Sequence, residues 1–531
     1  MKNNIFNFLE INQLKKHWKT DVLSGFLVFL LALPLSLGIA KASDFPPIYG
    51  LITAMFGGVL VSFIMGAPLT IKGPAAGLIV IVAGSVAELG HGNNELGWHL
   101  ALGAIIVAGA LQVLMGWFKW GKYTDLFPLS AVHGMLAAIG IIIISKQVHI
   151  LAGFSPLTQA GKPMTEPLEL LAELKTTIPN FFVHWQVALI GLISLALIFI
   201  WPLFKQPLLQ KIPSALVVIL VSIILVKVFG IHNTATFKPL LSFDKALFEI
   251  LRINESFEGF NQFGTFIKFV IMFALVGSLE SLLTVKAVDL LDAQKRKSNY
   301  NKDLMAVGLG NMLAGVFGGL PMISEVARSS ANVANGAQSR WANFFHGLFI
   351  LLFLIVDVSF SDMIPLSALA ALLIGVGWKL AHPREFGSAF KIGADQLLVF
   401  CTTVIVTLAT DLLVGIGAGI LLKMVLHIVR GVRFSALFGL QVVNGKGVIH
   451  VASPLVFTNF LRLQKVLLEQ NLTEDLHIDL TKCSFIDHTS LEALHLWQAD
   501  FKNAGGHLNL IGLQEFTALH KSKHHAAARR K

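Results

Sequence analysis

Leu69-Thr70-Ile71-Lys72-Gly73-Pro74-Ala75-Ala76-Gly77 and Gly318-Gly319-Leu320-Pro321-Met322-Ile323-Ser324-Glu325-Val326-Ala327-Arg328-Ser329-Ser330 break two otherwise apolar regions in the same way. In each, a run with Gly and Pro leads into a segment too short to cross a bilayer as a regular helix, so each helix is expected to begin at mid-membrane. Pro74 suits a first helical turn, where its missing N–H is not needed. A helix N-terminus presents unpaired N–H groups and about half a positive charge, and both favour an anion. Two such ends facing each other predict a small anion cradle. Ala75, Ala76, Gly77, Ala327 and Ser329 are small enough to admit an oxyanion to the backbone, and Arg328 adds a planar cationic fork.

Composition supplies the surroundings. Of 531 residues, 55% are hydrophobic and 14% charged, against roughly 25% charged in soluble chains. Lipid must therefore solvate most of the chain. Fourteen apolar segments follow, approximately 21–40, 47–66, 74–88, 97–118, 127–149, 185–204, 212–230, 264–287, 301–318, 324–336, 341–357, 363–381, 394–410 and 412–430. Most are near the ~20 residues that span ~30 Å of hydrocarbon; the third and tenth are the short, interrupted ones. The polar segment 1–20 reads as cytoplasmic, with no cleavable leader before a first helix that acts as signal anchor.

Charge tests the count. Lys119 and Lys122, Lys205 and Lys211, Lys295 to Lys297, and Lys379 with Arg384 follow the fourth, sixth, eighth and twelfth segments, whereas the loops after the third, eleventh and thirteenth carry no Lys or Arg. This alternation predicts cytoplasmic N- and C-termini in a multi-pass protein of the inner membrane. It also accounts for the net charge of +10 without a nucleic-acid partner. Phe127-Pro128-Leu129-Ser130-Ala131 through Gly140 is echoed by Ile364-Pro365-Leu366-Ser367-Ala368 through Gly377, seven crossings later. An odd separation means opposite orientation, hence a seven-plus-seven inverted repeat.

Glu280, inside the eighth segment, costs at least ~2.5 kcal/mol in a membrane unless paired, hydrated or protonated, so its default reading is functional. Two roles fit: coordinating a coupling cation, such as Na+, with Thr284 one turn on, or carrying a proton. Glu325 fits either a helix-end cap or a brake on the positive potential of the site. Lys72 fits either a secondary attraction for anions or a snorkelling cation. Cys401 and Cys483 have no metal or redox spacing, and no catalytic or nucleotide-binding motif occurs. No metal site beyond the coupling ion, no cofactor and no enzymatic activity are expected. From about Phe434 the chain reads as a small α/β domain, with Asn444-Gly445 as a hairpin turn.

These residues resemble the SulP family of anion transporters, the group that also contains mammalian solute-carrier anion exchangers and prestin. Besides the two interruptions, the resemblance rests on Ala32-Leu33-Pro34-Leu35-Ser36-Leu37-Gly38, Glu280-Ser281-Leu282-Leu283-Thr284 and Gly310-Asn311. The tail is similar to the family's STAS domain through Leu476 to Leu480, Phe485 to Ser490 and Gly505 to Leu508. The resemblance implies a uracil-transporter-like core and gate, elevator movement of the core, a homodimer, and a small inorganic anion, sulfate or bicarbonate foremost, as substrate. It further implies that Ala75, Ala76, Ala327 and Arg328 form the substrate cradle and that Glu280 and Thr284 stand where relatives bind sodium. A cytoplasmic partner for the STAS domain also fits. The expected organisation is an N-terminal segment 1–20, repeats at 21–231 and 264–431 separated by an extracytoplasmic loop 232–263, a STAS domain at 432–520 and a basic tail at 521–531.

Overall fold

Every apolar segment expected from hydropathy is helical, because in lipid a helix is the one single-segment structure that satisfies its own backbone. The computed structural model describes residues 11–121, 128–154, 156, 164, 166–206, 209, 212–233, 238–240, 257–356, 363–445, 447–518 and 528–530. Lys122, Phe127 and Lys211, most of the expected loop 232–263 and most of the basic tail 521–531 lie outside the described residues. The helices of the first half are α1 (Ile11–Ala42), α2 (Ile48–Val59), α3 (Ile79–Leu89), α4 (Asn94–Trp117) and α5 (Leu129–Leu151), then two short ones, α6 (Pro167–Ala172) and α7 (Leu174–Val183), then α8 (Trp185–Ile200) and α9 (Ser214–Phe229). The second half holds α10 (Phe263–Leu291), α11 (Tyr300–Val316), α12 (Val326–Ala334), α13 (Trp341–Val356), α14 (Leu366–Leu380), the amphipathic α15 (Pro383–Ile392), α16 (Ala394–Ala409) and α17 (Leu412–Val429). Among the described residues, seven helical stretches are long and apolar enough to cross a bilayer alone, and five more are shorter apolar helices. The first begins ten residues before the expected boundary, so the segment 1–20 is partly helical.

The chain forms two compact units, Met1–Gly121 with Ile139–Leu380, and Lys122–Ala138 with Ala381–Lys531. In the first, helices approach until only glycine fits between them. A Cβ on Gly308 of α11 would stand 2.6 Å from the Gly109 carbonyl oxygen of α4 and 2.8 Å from Val113 N. Gly377 of α14 lies against the Gly140 carbonyl of α5, where a Cβ would come within 2.8 Å. Gly140 and Gly377 are the glycines paired by the sequence repeat, and they meet each other.

The second unit carries the C-terminal small α/β fold. Its sheet has the order β3 (Val442–Gly445), β4 (Val448–Val451), β5 (Leu476–Asp479), β7 (Leu508–Ile511), antiparallel between the first two and parallel thereafter. β6 (Phe485–Ile486), β8 (Phe516–Ala518) and β9 (Ala528–Arg530) form a second, three-stranded sheet. Asn444 and Gly445 pair within β3 and do not form the turn, which falls beyond them, where Gly447 has φ +72°. α18 (Phe434–Phe438) precedes this domain, and α19 (Phe460–Leu468) and α20 (His488–Ala504) pack Phe460, Leu463, Leu494 and Phe501 against Ile449 and Ile478 of the sheet. Asp487 caps α20, its Oδ1 accepting from Ser490 N at 2.8 Å and its Oδ2 from Phe457 N at 3.0 Å. The same carboxylate lies 3.5 Å from His427 Nε2 of α17. Lys423, one turn earlier and fully buried, also faces Asp487 electrostatically and sits 3.7 Å from Asp395 of α16.

Two predictions follow from packing. Gly308→Val forces backbone apart and should lower the thermal midpoint of the purified protein, by roughly 1–3 kcal/mol of stability or more. Cys483 is fully buried, donates to the Phe485 carbonyl, and has its thiol pushed up by burial to about 11, so mass spectrometry after maleimide treatment at neutral pH should find it unmodified until the protein is denatured.

Candidate functional site

In the first unit, β1 (Lys72–Pro74) and β2 (Met322–Ser324) pair antiparallel in the register Lys72 with Ser324, Gly73 with Ile323 and Pro74 with Met322. Glu325 N extends the ladder by donating to Ile71 O at 3.0 Å. So short a ribbon leaves outward backbone groups that lipid cannot satisfy. Spanning helices supply partners: Asn343 Oδ1 for Lys72 N, Asn311 Oδ1 for Met322 N, Ser281 Oγ for Ser324 N and Thr53 Oγ1 for Leu320 N. Asn332 Nδ2 donates in turn to Leu69 O. Because the strands are antiparallel, the half-helices they feed depart in opposite directions.

The first half-helix begins later than expected. Pro74 is in β1, Ala75 is extended at φ −90° and ψ 120°, and a 3-10 turn over Ala76–Leu78 opens α3. Proline closes the strand here instead of opening the helix, which places the N–H groups of Ala76 and Gly77 at the start of the turn. The Glu280 carboxylate lies directly on Gly77: a Cβ there would fall 1.9 Å from Oε1 and 2.4 Å from Oε2. Any side chain at position 77 would expel it. Glu280 Oε2 is buried without a hydrogen-bond partner among the described residues.

The second half-helix, α12, is capped by Glu325, whose Oε2 accepts from Arg328 N at 2.7 Å. Of the two roles open to Glu325, the structure shows the cap. Each half-helix end therefore has a carboxylate beside it, and the two carboxylates act on each other electrostatically. Arg328 is completely buried, and its Nε, Nη1 and Nη2 have no hydrogen-bond partner among the described residues. Its guanidinium rests on Gly73, where a Cβ would come within 2.3 Å of Nη1. Ala75, Ala76 and Ala327 flank this region as small side chains, Ala75 and Ala76 nearly buried. Thr284, one turn beyond Glu280, is buried on α10.

Two expected site residues are otherwise engaged. Lys72 neither snorkels nor remains available to an anion. Its ammonium is fully buried and held by Asp303 at 2.7 and 2.8 Å, by Thr70 Oγ1 at 2.9 Å and by Ser324 Oγ at 2.5 Å. Ser329 spends its hydroxyl on the fold, donating to Glu325 O at 2.6 Å and accepting from Ile71 N at 2.9 Å. Sequence reading passed over Asp303, which also accepts from Gly66 N and Ala67 N. Its signal was available: a lone carboxylate within a glycine-rich apolar helix, in a protein that also buries a lysine. His346 of α13 is fully buried, has neither ring nitrogen partnered among the described residues, and interacts electrostatically with Arg328.

Residues 18–403 match the sulfate permease family model. The chain belongs to the sulfate permease family. It is an anion-transporter-family membrane protein and not an enzyme. Among its relatives, the Bacillus subtilis protein named "Putative sulfate transporter YvdB" is 28% identical over 514 residues, covering 94% of this chain and 92% of the relative. The bicarbonate transporter BicA of Picosynechococcus is 24% identical over 77% of this chain and 70% of its own. The transmembrane domain of a cyanobacterial BicA superposes with a TM-score of 0.64 at 23% identity, over 76% of this chain and 97% of that one. SLC26A9 superposes with a TM-score of 0.70 at 16% identity, over 94% and 84%. These likenesses support the shared helical fold, including the C-terminal α/β region.

The Lys72–Asp303 pair generates a prediction within this family fold. Removing one member strands a buried charge, at a cost of roughly 3–5 kcal/mol. Asp303→Asn should therefore lower the detergent-solubilised melting temperature steeply, while Lys72→Met with Asp303→Leu should recover much of the loss.

Proposed function

We propose that this protein is a secondary active transporter of a small inorganic oxyanion, with sulfate and bicarbonate the foremost candidates, and that it moves the anion together with Na+ or H+ taken up at Glu280. The observation that carries this reading is the Arg328 guanidinium, wholly buried beside β1 with none of its side-chain nitrogens partnered among the described residues. Buried charges are normally paired, and a planar cation of this kind accepts an oxyanion through two parallel N–H bonds. The N–H groups at the start of the Ala76–Leu78 turn add a second set of donors.

The two carboxylates give the coupling. Glu280 on Gly77 and the Glu325 cap place negative charge at both half-helix ends, which opposes an entering anion. A proton or a sodium ion at Glu280 removes that opposition, so cation and anion favour each other's binding, the condition for symport. Thr284 stands on the same helical face as Glu280 to complete a cation site. In this reading Ala75, Ala76, Gly77 and Ala327 allow close approach, with Ser329 holding the cradle together. The unit with the half-helices moves as an elevator, the protein is a homodimer in the inner membrane, and both termini with the STAS domain are cytoplasmic, the latter available to a protein partner. Dicarboxylate or chloride transport on the same fold is the alternative, as is an anchored STAS regulator without transport.

Uptake of labelled sulfate, bicarbonate, succinate and chloride into proteoliposomes, each with and without an inward sodium or proton gradient, tests the proposal. One oxyanion should be driven by one cation gradient. Arg328→Ala should lower that uptake at least about tenfold, and Glu280→Gln should leave uptake that no longer follows the cation gradient. Wild-type liposomes that take up none of the anions would overturn it.

A further inference from the structure

A cavity of about 220 Å³ lies wholly within the second unit, bounded by the first turns of α5 and α20, by α15 and by the start of α16. None of its residues belongs to the anion site. Two acid–imidazole contacts line it: His133 Nδ1 to Glu385 Oε2 at 3.0 Å, and His488 Nε2 to Glu492 Oε2 at 3.2 Å. Each imidazole engages the Oε2 oxygen of its glutamate. Two further polar atoms in the wall are buried without a hydrogen-bond partner among the described residues, Gln396 Oε1 and Ser130 Oγ, on residues only 1% and 8% exposed. The orientation of the Gln396 amide is fixed by its Nε2, which donates to Asp395 Oδ2 at 2.7 Å, so the orphaned atom is an acceptor. Ile392 and Phe400 supply apolar wall.

We propose that this cavity binds a small organic cation, an ammonium group on a short alkyl chain. Among the described residues the polar lining is two carboxylates, an amide, two imidazoles and two serine hydroxyls, with no Lys or Arg, so its formal charge is negative while the imidazoles are neutral. An anion would meet like charge there, whereas an ammonium group brings three donors and no acceptor. A buried carbonyl oxygen without a partner is costly, and an N–H from the ligand relieves that cost. Among the described residues no group of three or more His, Cys, Asp or Glu side chains is arranged to hold a metal ion. Ile392 and Phe400 offer a hydrated inorganic cation nothing, but they bury methylene groups. The site joins α5, α15 and α16 to the soluble domain's α20, so an occupant holds these elements together.

Isothermal titration of the full-length protein in detergent with n-butylamine and 1,4-diaminobutane tests this, with butyrate, n-butanol and sodium chloride as controls. Saturable binding of an amine, absent for all three controls, is the expected result. Glu385→Gln, Glu492→Gln and Gln396→Leu should each weaken it at least about tenfold, and Glu474→Gln, an exposed site elsewhere in the soluble domain, should not. The proposal falls if no amine saturates below about 10 mM, if sodium chloride competes as well as the amines, or if the three cavity variants melt and bind as wild type. Because binding is read without uptake, the result stands apart from the outcome of the transport assay.

Discussion

A backbone that is neither helix nor closed barrel can persist at membrane depth only if every N–H and C=O finds a partner in the protein. The antiparallel pairing of β1 with β2 meets that demand where two helices stop short, and the rest of the first unit is arranged around it. Asn311, Asn343 and Ser281 lie on three different helices, yet each gives one side-chain oxygen to the same ribbon, and Thr53 on a fourth does so for Leu320 just before it. Asn311 is itself braced by Gln112 of α4, which reaches Ser278 of α10. The glycine contact between α4 and α11 brings these polar side chains within reach. Packing and polar satisfaction thus converge on six backbone residues.

What was legible in the sequence was what the membrane forbids. Gly and Pro where a span should run, a glutamate and an arginine among apolar residues, and a change of composition near Phe434 each violate a local rule, so each stands out. The repeat glycines Gly140 and Gly377 were visible as an echo and turn out to touch. Partners were not legible. Lys72 and Asp303 are 231 residues apart, and either charge alone is compatible with several mates. Pro74 fits a strand end as well as a first helical turn, and only its pairing with Met322 selects between them. The capping role of Glu325 was one of two readings because a glutamate is an uncommon cap, its longer side chain having to fold back to reach Arg328 N. The sequence shows the small size of Ser329, whereas its hydroxyl is what the fold uses.

The two half-helix ends are not equivalent despite their symmetric origin. One presents the open turn at Ala76–Leu78 with the Glu280 carboxylate leaning on it from a neighbouring helix; the other carries its carboxylate as its own cap. The first can be uncovered by moving or neutralising a side chain of α10, while uncovering the second costs α12 its terminal hydrogen bond. Arg328, hydrogen-bonded through its backbone to that cap and unpartnered through its side chain, connects the integrity of α12 to the charge of the site.

At the other end of the chain, the carboxylate of Asp487 serves three masters: the first turn of α20, the Phe457 amide, and the buried face of α17. The adjoining Thr489 and Ser490 hydroxyls are sealed beneath it, without access to solvent. No enzyme the size of a kinase can reach them while that junction is closed. A covalent mark on either residue would therefore be a record that the soluble domain had already come away from its helix, and would act by preventing its return.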